Sequence, residues 1–396
     1  MMPEDRGDGT LGQPGRRNVL LLGAVSFIND TSSKIILPIL PLFVGQLGGG
    51  GLAIGLISGI SDSLASLAKL VAGYWSDRMG RRKGFVVSGY LLSSLAKLLL
   101  AVAASWPMVL LLRSAERLGK GLRSAPRDAI LAASTQRKTR GRGFGVHRAM
   151  DSGGAVLGTL AAFGLYWWLE LELTHIFAVA GVIGFLCLVP LLAVREADDG
   201  HDRPRALPRL GALPKRLRLF VAIAFLYALA NFSYMFFVLA SRGVFENRLG
   251  VAVPILLYGV YQIVFTVFAV PAGILSDRVG RPRVLVAGYL LFAAVCAGFV
   301  FAESLMPLLG LFVLYGLNYA LVEANERALV SDLAHEETRG TALGAYHMAT
   351  SLAALPAGVV AGLLWDLAPV YTFAFGGTLA LAAALLLFLF MVRSGE

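Results

Sequence analysis

Between Pro107 and Ala133 an otherwise apolar stretch carries Arg113, Glu116, Arg117, Lys120, Arg123, Arg127 and Asp128. Steps of three and four residues place these groups on one stripe of an α-helix. In hydrocarbon each such charge costs about 2.5–3.5 kcal/mol at a helix centre. Five cations facing lipid would be prohibitive, so the stripe must face a water-filled cavity or paired partners. Glu116 can pair with Arg113 or Lys120, and Asp128 with Arg127 or a loop arginine. Two acids still cannot neutralise five cations, and the surplus would draw in an anion.

Other polar groups sit at similar depth. Asp30 and Lys34 are i,i+4 neighbours and are expected to pair; otherwise Asp30 carries a proton or partners the cations above. Pro38 and Pro41 follow and would kink that helix. Asp62, Lys69 and Asp151 lie in apolar runs, as does His147, which reads as a structural hydrogen-bonding group. Asn231 and Tyr234 are candidate cavity residues. Asn318, Glu323, Asn325, Glu326 and Arg327 form a second polar cluster. Carboxylates at membrane depth are functional candidates by default. Glu323 or Glu326 would bind a proton or pair across a cavity with the cations of the first stripe. Cys187 and Cys296 sit in apolar runs and read as small hydrophobes, so neither a disulfide nor a metal or other cofactor is expected.

These residues need long apolar elements to hold them, and the chain supplies them. Of 396 residues 57% are hydrophobic and 15% charged, against roughly 25% charged in soluble domains. Twelve spans are expected, near 19–44, 52–75, 84–105, 107–133, 142–168, 174–194, 218–241, 251–275, 284–304, 307–333, 340–367 and 369–392. The chain then divides into a tail (1–18), a six-helix bundle (19–194), a basic Pro-rich linker (195–217), a second bundle (218–392) and a short tail (393–396). The net charge of +10 is read as facing anionic lipid headgroups, not nucleic acid. Arg78, Arg81, Arg82, Lys83, Arg137, Lys138, Arg140, Arg278, Arg281 and Arg283 fall in loops on one side. The opposite loops hold only Arg242 and Arg248. The positive-inside rule places both termini in the cytoplasm.

One loop occurs twice. Gly73-Tyr-Trp-Ser-Asp-Arg-Met-Gly-Arg-Arg-Lys83 returns 200 residues later as Gly273-Ile-Leu-Ser-Asp-Arg-Val-Gly-Arg-Pro-Arg283. Gly73, Asp77, Arg78, Gly80 and Arg81 match Gly273, Asp277, Arg278, Gly280 and Arg281. Parallel duplicated halves are a transporter architecture. With six plus six spans, the basic linker and G-x-x-x-D-R-x-G-R-R/K after spans 2 and 8, the chain resembles the major facilitator superfamily. The resemblance implies an all-α membrane fold of two pseudo-symmetric six-helix bundles. It also implies a gate in which Gly73 lets helices 2 and 11 approach and Asp77, Arg78 and Arg81 join a cytoplasmic charge network. Asp128 would link that network to the cavity through Arg78 or Arg81.

Arg117-Leu-Gly-Lys-Gly121 and Arg123-Ser-Ala125 resemble the R-x-x-Q-G-x-G-A-A motif of proton-coupled drug exporters, with Arg117 as its proton-linked arginine. Lys120 in place of the amide and Arg123 in place of a glycine favour an anionic cargo. The expected activity is proton-coupled export of a small organic anion or zwitterion across the cytoplasmic membrane by a monomer. An importer or uniporter of an organic anion is the alternative, ahead of a multidrug exporter of lipophilic cations or a membrane sensor. No P-loop, HExxH or GxSxG motif points to an enzyme.

Overall fold

The structure, a computed structural model, describes residues 13–135, 140–196, 214–335 and 338–394. Arg137, Lys138, Thr139 and most of the linker lie outside these residues, and the Arg140 side chain is likewise not described. In the first half the elements are α1 (Gln13–Ile36), α2 (Leu40–Gln46), α3 (Gly51–Met79), α4 (Arg82–Leu99), α5 (Trp106–Ala133), α6 (Arg140–Trp167), α7 (Leu173–Leu186) and α8 (Leu188–Leu192). The second half holds α9 (Lys215–Ala230), α10 (Tyr234–Arg242), α11 (Leu249–Val279), α12 (Arg281–Val300), α13 (Leu305–Leu333), α14 (Arg339–Leu367) and α15 (Pro369–Ser394). The pairs α1–α2, α7–α8 and α9–α10 are single passages broken in the middle, so the described helices make twelve passages. Pro38 stands in the first break, as a missing N–H donor requires. Ten passages are long and apolar enough to cross a bilayer by themselves. The other two are α5 and α6, whose charges lower their hydropathy.

Within the first half α1 packs on α6, and α5 packs on both α3 and α4. Within the second, α13 packs on α11 and α12, and α12 on α15. The halves meet through α3 against α14 and α6 against α11. The end with the two repeated loops is here called the basic end, and its opposite the far end. At both repeats the last helical residue is followed by a glycine with positive φ: Gly80 at 62° and Gly280 at 95°. A side chain is strained there, which explains why glycine stands at both positions.

The halves are sealed at the far end. A Cβ on Gly55 would lie 1.9 Å from Gly358 O, and one on Gly51 2.6 Å from Gly362 O. Only glycine permits that approach. Ser63 Oγ donates to Ser351 O at 3.1 Å two turns further in. The Asp366 carboxylate of α14 accepts from the backbone N–H of Gly51 (2.5 Å) and Leu52 (2.9 Å), capping α3 from the opposite half. Toward the basic end the two helices part. A 350 Å³ cleft opens there between Leu67, Leu70 and Gly73 of α3 and Gly344, His347 and Met348 of α14. A Cβ on Gly344 would meet nothing within 4 Å, and one on Gly73 only Ala125. The close approach of the second and eleventh passages expected at Gly73 therefore occurs instead at Gly51 and Gly55. The chain is closed at the far end, and the Gly73 region is the part left open.

Asp366→Ala should loosen this seal. Loss of a helix cap costs about 0.5–2 kcal/mol, a shift of about two- to thirtyfold toward far-end opening. The check is the rate at which a cysteine at Leu37, inside the cavity, reacts with an impermeant thiol reagent added from the far side.

Candidate functional site

A cavity of about 360 Å³ lies between the halves. The first half lines it with Asp30, Lys34, Asp62, Arg113, Glu116, Arg117, Lys120 and Arg123. The second half contributes Asn231, Tyr234, Tyr258, Tyr261 and Tyr319. One wall is thus charged and the other is amide and phenol. The α5 stripe reaches the cavity as its spacing requires, and it is also partly paired. Arg113 pairs with Glu116, and Arg117 with Asp62 of α3. Arg123 turns away toward α4, where it donates to Ser93 Oγ (2.5 Å) and stacks 4.4 Å over the Tyr90 ring. Arg127 lies outside the cavity and donates to Ser26 of α1 at 3.2 Å.

Two cationic donors remain. Lys120 is exposed to the cavity and makes no hydrogen bond or ion pair with the described residues. Arg117 Nε is buried without a partner. Across the cavity, Asn231 Oδ1 is a buried acceptor without a partner. It sits in the break between α9 and α10, where Ser233 accepts from Met235 N at 3.4 Å to restart the helix. Buried polar groups are normally satisfied. The two walls of the cavity thus hold polar groups without a partner among the described residues, cationic on the first half and an amide on the second.

The Asp30–Lys34 pair is not formed. Lys34 reaches across the cavity to Gln262 Oε1 (2.9 Å) and Tyr258 Oη (3.3 Å) of α11. Tyr234 makes the reciprocal crossing, donating to Leu37 O at 3.0 Å. Asp30 accepts from the Asn29 side-chain amide at 3.2 Å. Sealing the far end brings α11 within reach of Lys34, which is why an amide and a phenol of the other half displace the i,i+4 partner.

Neither Glu323 nor Glu326 pairs across the cavity. Glu323 is bound to Arg327 one turn away at 3.1 Å. Glu326 is buried in the second bundle and accepts from the hydroxyls of Tyr289 and Tyr346, both at 2.5 Å. At the basic end Asp128 is bound to its neighbour Arg127 (2.9 Å), not to Arg78 or Arg81. With the halves parted there, a carboxylate at the end of α5 meets its own helix first. Asp77 holds Arg82 at 3.3 Å, Arg78 donates to Tyr74 Oη at 3.2 Å, and Arg81 is exposed. Asp277 lies 3.5 Å from Arg281, which reaches Asp332 of α13 at 3.0 Å. Arg278 is exposed. The loop-to-helix pairing expected in the first half is thus present in the second.

Several further residues of this network are marked in the sequence. Lys97 is a lone lysine in the apolar third passage. It is buried, with its ammonium 3.1 Å from both Asn29 Oδ1 and Ser32 Oγ. Gln262 stands 200 residues after Asp62, so the internal repeat marked it. Glu196 accepts from the backbone of Arg82 and Lys83 and caps α4 from the linker's edge. His147 bonds Ser26 Oγ at 2.8 Å, a tie between α6 and α1.

Two helical bundles around one polar central cavity, sealed at one end, define a multi-pass membrane carrier with no strand among the described residues. The family model of the Major Facilitator Superfamily matches residues 22–258 and 246–396, and the chain belongs to that family. An uncharacterized MFS-type transporter of Methanocaldococcus jannaschii is 43% identical over 376 residues, 94% of each chain. The multidrug resistance protein MdtG of Dickeya zeae is 25% identical over 348 residues, 81% of each. Among solved structures, the nucleoside transporter NupG superposes with a TM-score of 0.77 at 15% identity, covering 96% of this chain and 99% of that one. A peptide transporter POT in complex with sulfate gives 0.77 at 17%, covering 96% and 94%. These likenesses establish the fold. The protein is a secondary transporter of small molecules, embedded in a membrane, and not an enzyme.

Proposed function

We propose that the protein exports a small organic anion or zwitterion from the cytoplasm by alternating access, in exchange for protons. The observation that carries this reading is the pairing of free donors and acceptor across the cavity. The anionic end of a cargo meets Lys120 and Arg117 Nε, and a donor on its other end meets Asn231 Oδ1. The phenol-rich wall of Tyr258, Tyr261 and Tyr319 suits an organic frame better than a bare inorganic ion. The basic end faces the cytoplasm because loop arginines favour that side, with residues 19–194 and 218–392 as the rocking units. Asp77 and Asp277, with their arginines, re-form the gate when the basic end closes. Export is favoured by the span-4 motif and by the relative named as a multidrug resistance protein.

Proteoliposomes loaded with a pH-sensitive dye test this against a panel of organic anions, zwitterions and lipophilic cations. Anions or zwitterions should move protons, and Lys120→Ala should lower that flux by about ten- to hundredfold, the worth of a charge-assisted hydrogen bond. Flux with lipophilic cations alone overturns the anion assignment. Anion uptake without proton movement makes the protein a uniporter.

A further inference from the structure

The cleft between α3 and α14 lies outside the central cavity. These helices form one of the two seams between the halves, so where they part near the basic end the gap faces the bilayer. Its walls are two apolar stripes at helical spacing, Leu67, Leu70 and Gly73 on α3 and Gly344, Met348 and Leu352 on α14. Two further lining residues carry polar donors, Lys69 from the first half and His347 from the second. Both are exposed, and neither side chain makes a hydrogen bond or ion pair with the described residues. No carboxylate is among the described residues that line the cleft.

A lysine at bilayer depth is costly unless it meets an anion or reaches the interface. Tyr74 and Trp75, exposed further along the same helix, are residue types that mark headgroup level. Lys69 stands five residues deeper than Tyr74, about 8 Å along the axis. Its four-carbon stem spans most of that distance toward the phosphates of the leaflet at the basic end. An acyl chain gains nothing from apolar contact in the cleft, because the surrounding lipid is equally apolar. Charge must therefore choose the occupant, and a basic pocket between membrane helices fits an anionic head group.

We propose that the α3–α14 cleft is a site for one anionic phospholipid of the leaflet at the basic end, and that its occupation holds the carrier in the form closed at the far end. One acyl chain lies along Leu67, Leu70, Met348 and Leu352. One phosphate oxygen accepts from the Lys69 ammonium and another from an N–H of the His347 ring, so the head group touches both halves. A zwitterionic lipid brings its own cation to the same place and is disfavoured beside Lys69. The cleft exists only while Gly73 and Gly344 stand apart; a Cβ on Gly344 would meet nothing within 4 Å. Closing the basic end draws the two stripes together and expels the lipid. Bound lipid therefore favours the form in which the basic end is open and the far end shut. The site is separate from Lys120 and Arg117 of the cavity, and it stands whatever the cargo or the coupling ion.

The test uses the full chain. Native mass spectrometry of protein released from nanodiscs of mixed phosphatidylglycerol and phosphatidylcholine reads which lipid stays bound. The parent chain should retain one phosphatidylglycerol, and Lys69→Gln should cut its preference over phosphatidylcholine by about fivefold or more. Adding His347→Ala should remove the remainder, whereas Lys69→Arg should keep the preference. Arg216→Gln, which removes an exposed cation of α9 outside the cleft, should not change it. Conformation is read from spin labels at Glu172→Cys and Glu303→Cys, exposed far-end positions in opposite halves, with Cys187 and Cys296 replaced by alanine. Phosphatidylglycerol should shift the far end toward closed by about fivefold in the parent, and not at all in the Lys69→Gln, His347→Ala chain. Equal retention of the two lipids overturns the proposal, as does a preference lost as much in Arg216→Gln as in Lys69→Gln. A far end that ignores the lipid overturns it too. So does displacement of the lipid by soluble glycerol phosphate, which would assign the cleft to a water-borne anion, or by a second copy of the chain.

Discussion

Gly55→Leu is expected to leave the protein folded but unable to close its far end. The Gly55 Cα faces the Gly358 backbone so closely that a single added carbon would stand 1.9 Å from its carbonyl oxygen. Leucine adds three more carbons, and backbone cannot yield as a flexible side chain does. Overpacking of this kind costs about 1–3 kcal/mol or more. The penalty falls only on conformations in which α3 and α14 touch there. The open form should therefore gain about fivefold to more than a hundredfold. A cysteine at Leu37 would be labelled from the far side correspondingly faster, and net transport would be lost. Labelling at the parent rate would mean that these glycines do not form the seal. Gly73→Leu, which faces an open cleft in this conformation, should not accelerate it.

Glu116→Gln should be the most destabilising single change in the charged stripe. Glu116 is 2% exposed and its partner Arg113 6%. Lys97, Arg117 and Arg123 surround the same carboxylate. Removing one member of a buried pair leaves an uncompensated charge and costs about 3–5 kcal/mol. The amide keeps the shape and loses the charge, so the deficit is electrostatic. Thermal unfolding in detergent would register it as a lower midpoint, and adding Arg113→Met to Glu116→Gln should restore most of the loss. An unchanged midpoint for Glu116→Gln would show that the pair contributes little. Lys120→Ala, which removes a cation with no partner among the described residues, should leave that midpoint near the parent value.

The twelve passages and the duplicated loop were legible because hydropathy and exact repetition are properties of the chain itself. The α5 stripe was legible for the same reason. Charges at helical spacing within an apolar run admit few environments. Partners were less legible. Glu326 reads in sequence as a cavity carboxylate, yet two tyrosine hydroxyls from α12 and α14 enclose it. Helical spacing fixes the face a side chain occupies but not which neighbour packs on that face. Lys34 shows the same limit. Its local partner was visible four residues away, whereas Gln262 became a partner only when the halves tilted together. The gate loops depend on conformation as well. Gly73 and Asp128 would have the expected neighbours only when the basic end closes.

The two passages that fall short in hydropathy bear on how the protein is made. A lone α5 leaving the translocon would expose five cations to acyl chains before any partner existed. Asp62 of α3 and the polar groups of α4 precede it in the chain, but Ser26's second contact, His147, arrives only with α6. Membrane integration of α3 through α6 must therefore be concerted, with the nascent hairpins held beside the translocon until their charges are matched. A substitution that unbalances this group would appear first as a degraded nascent chain and only afterward as slow transport.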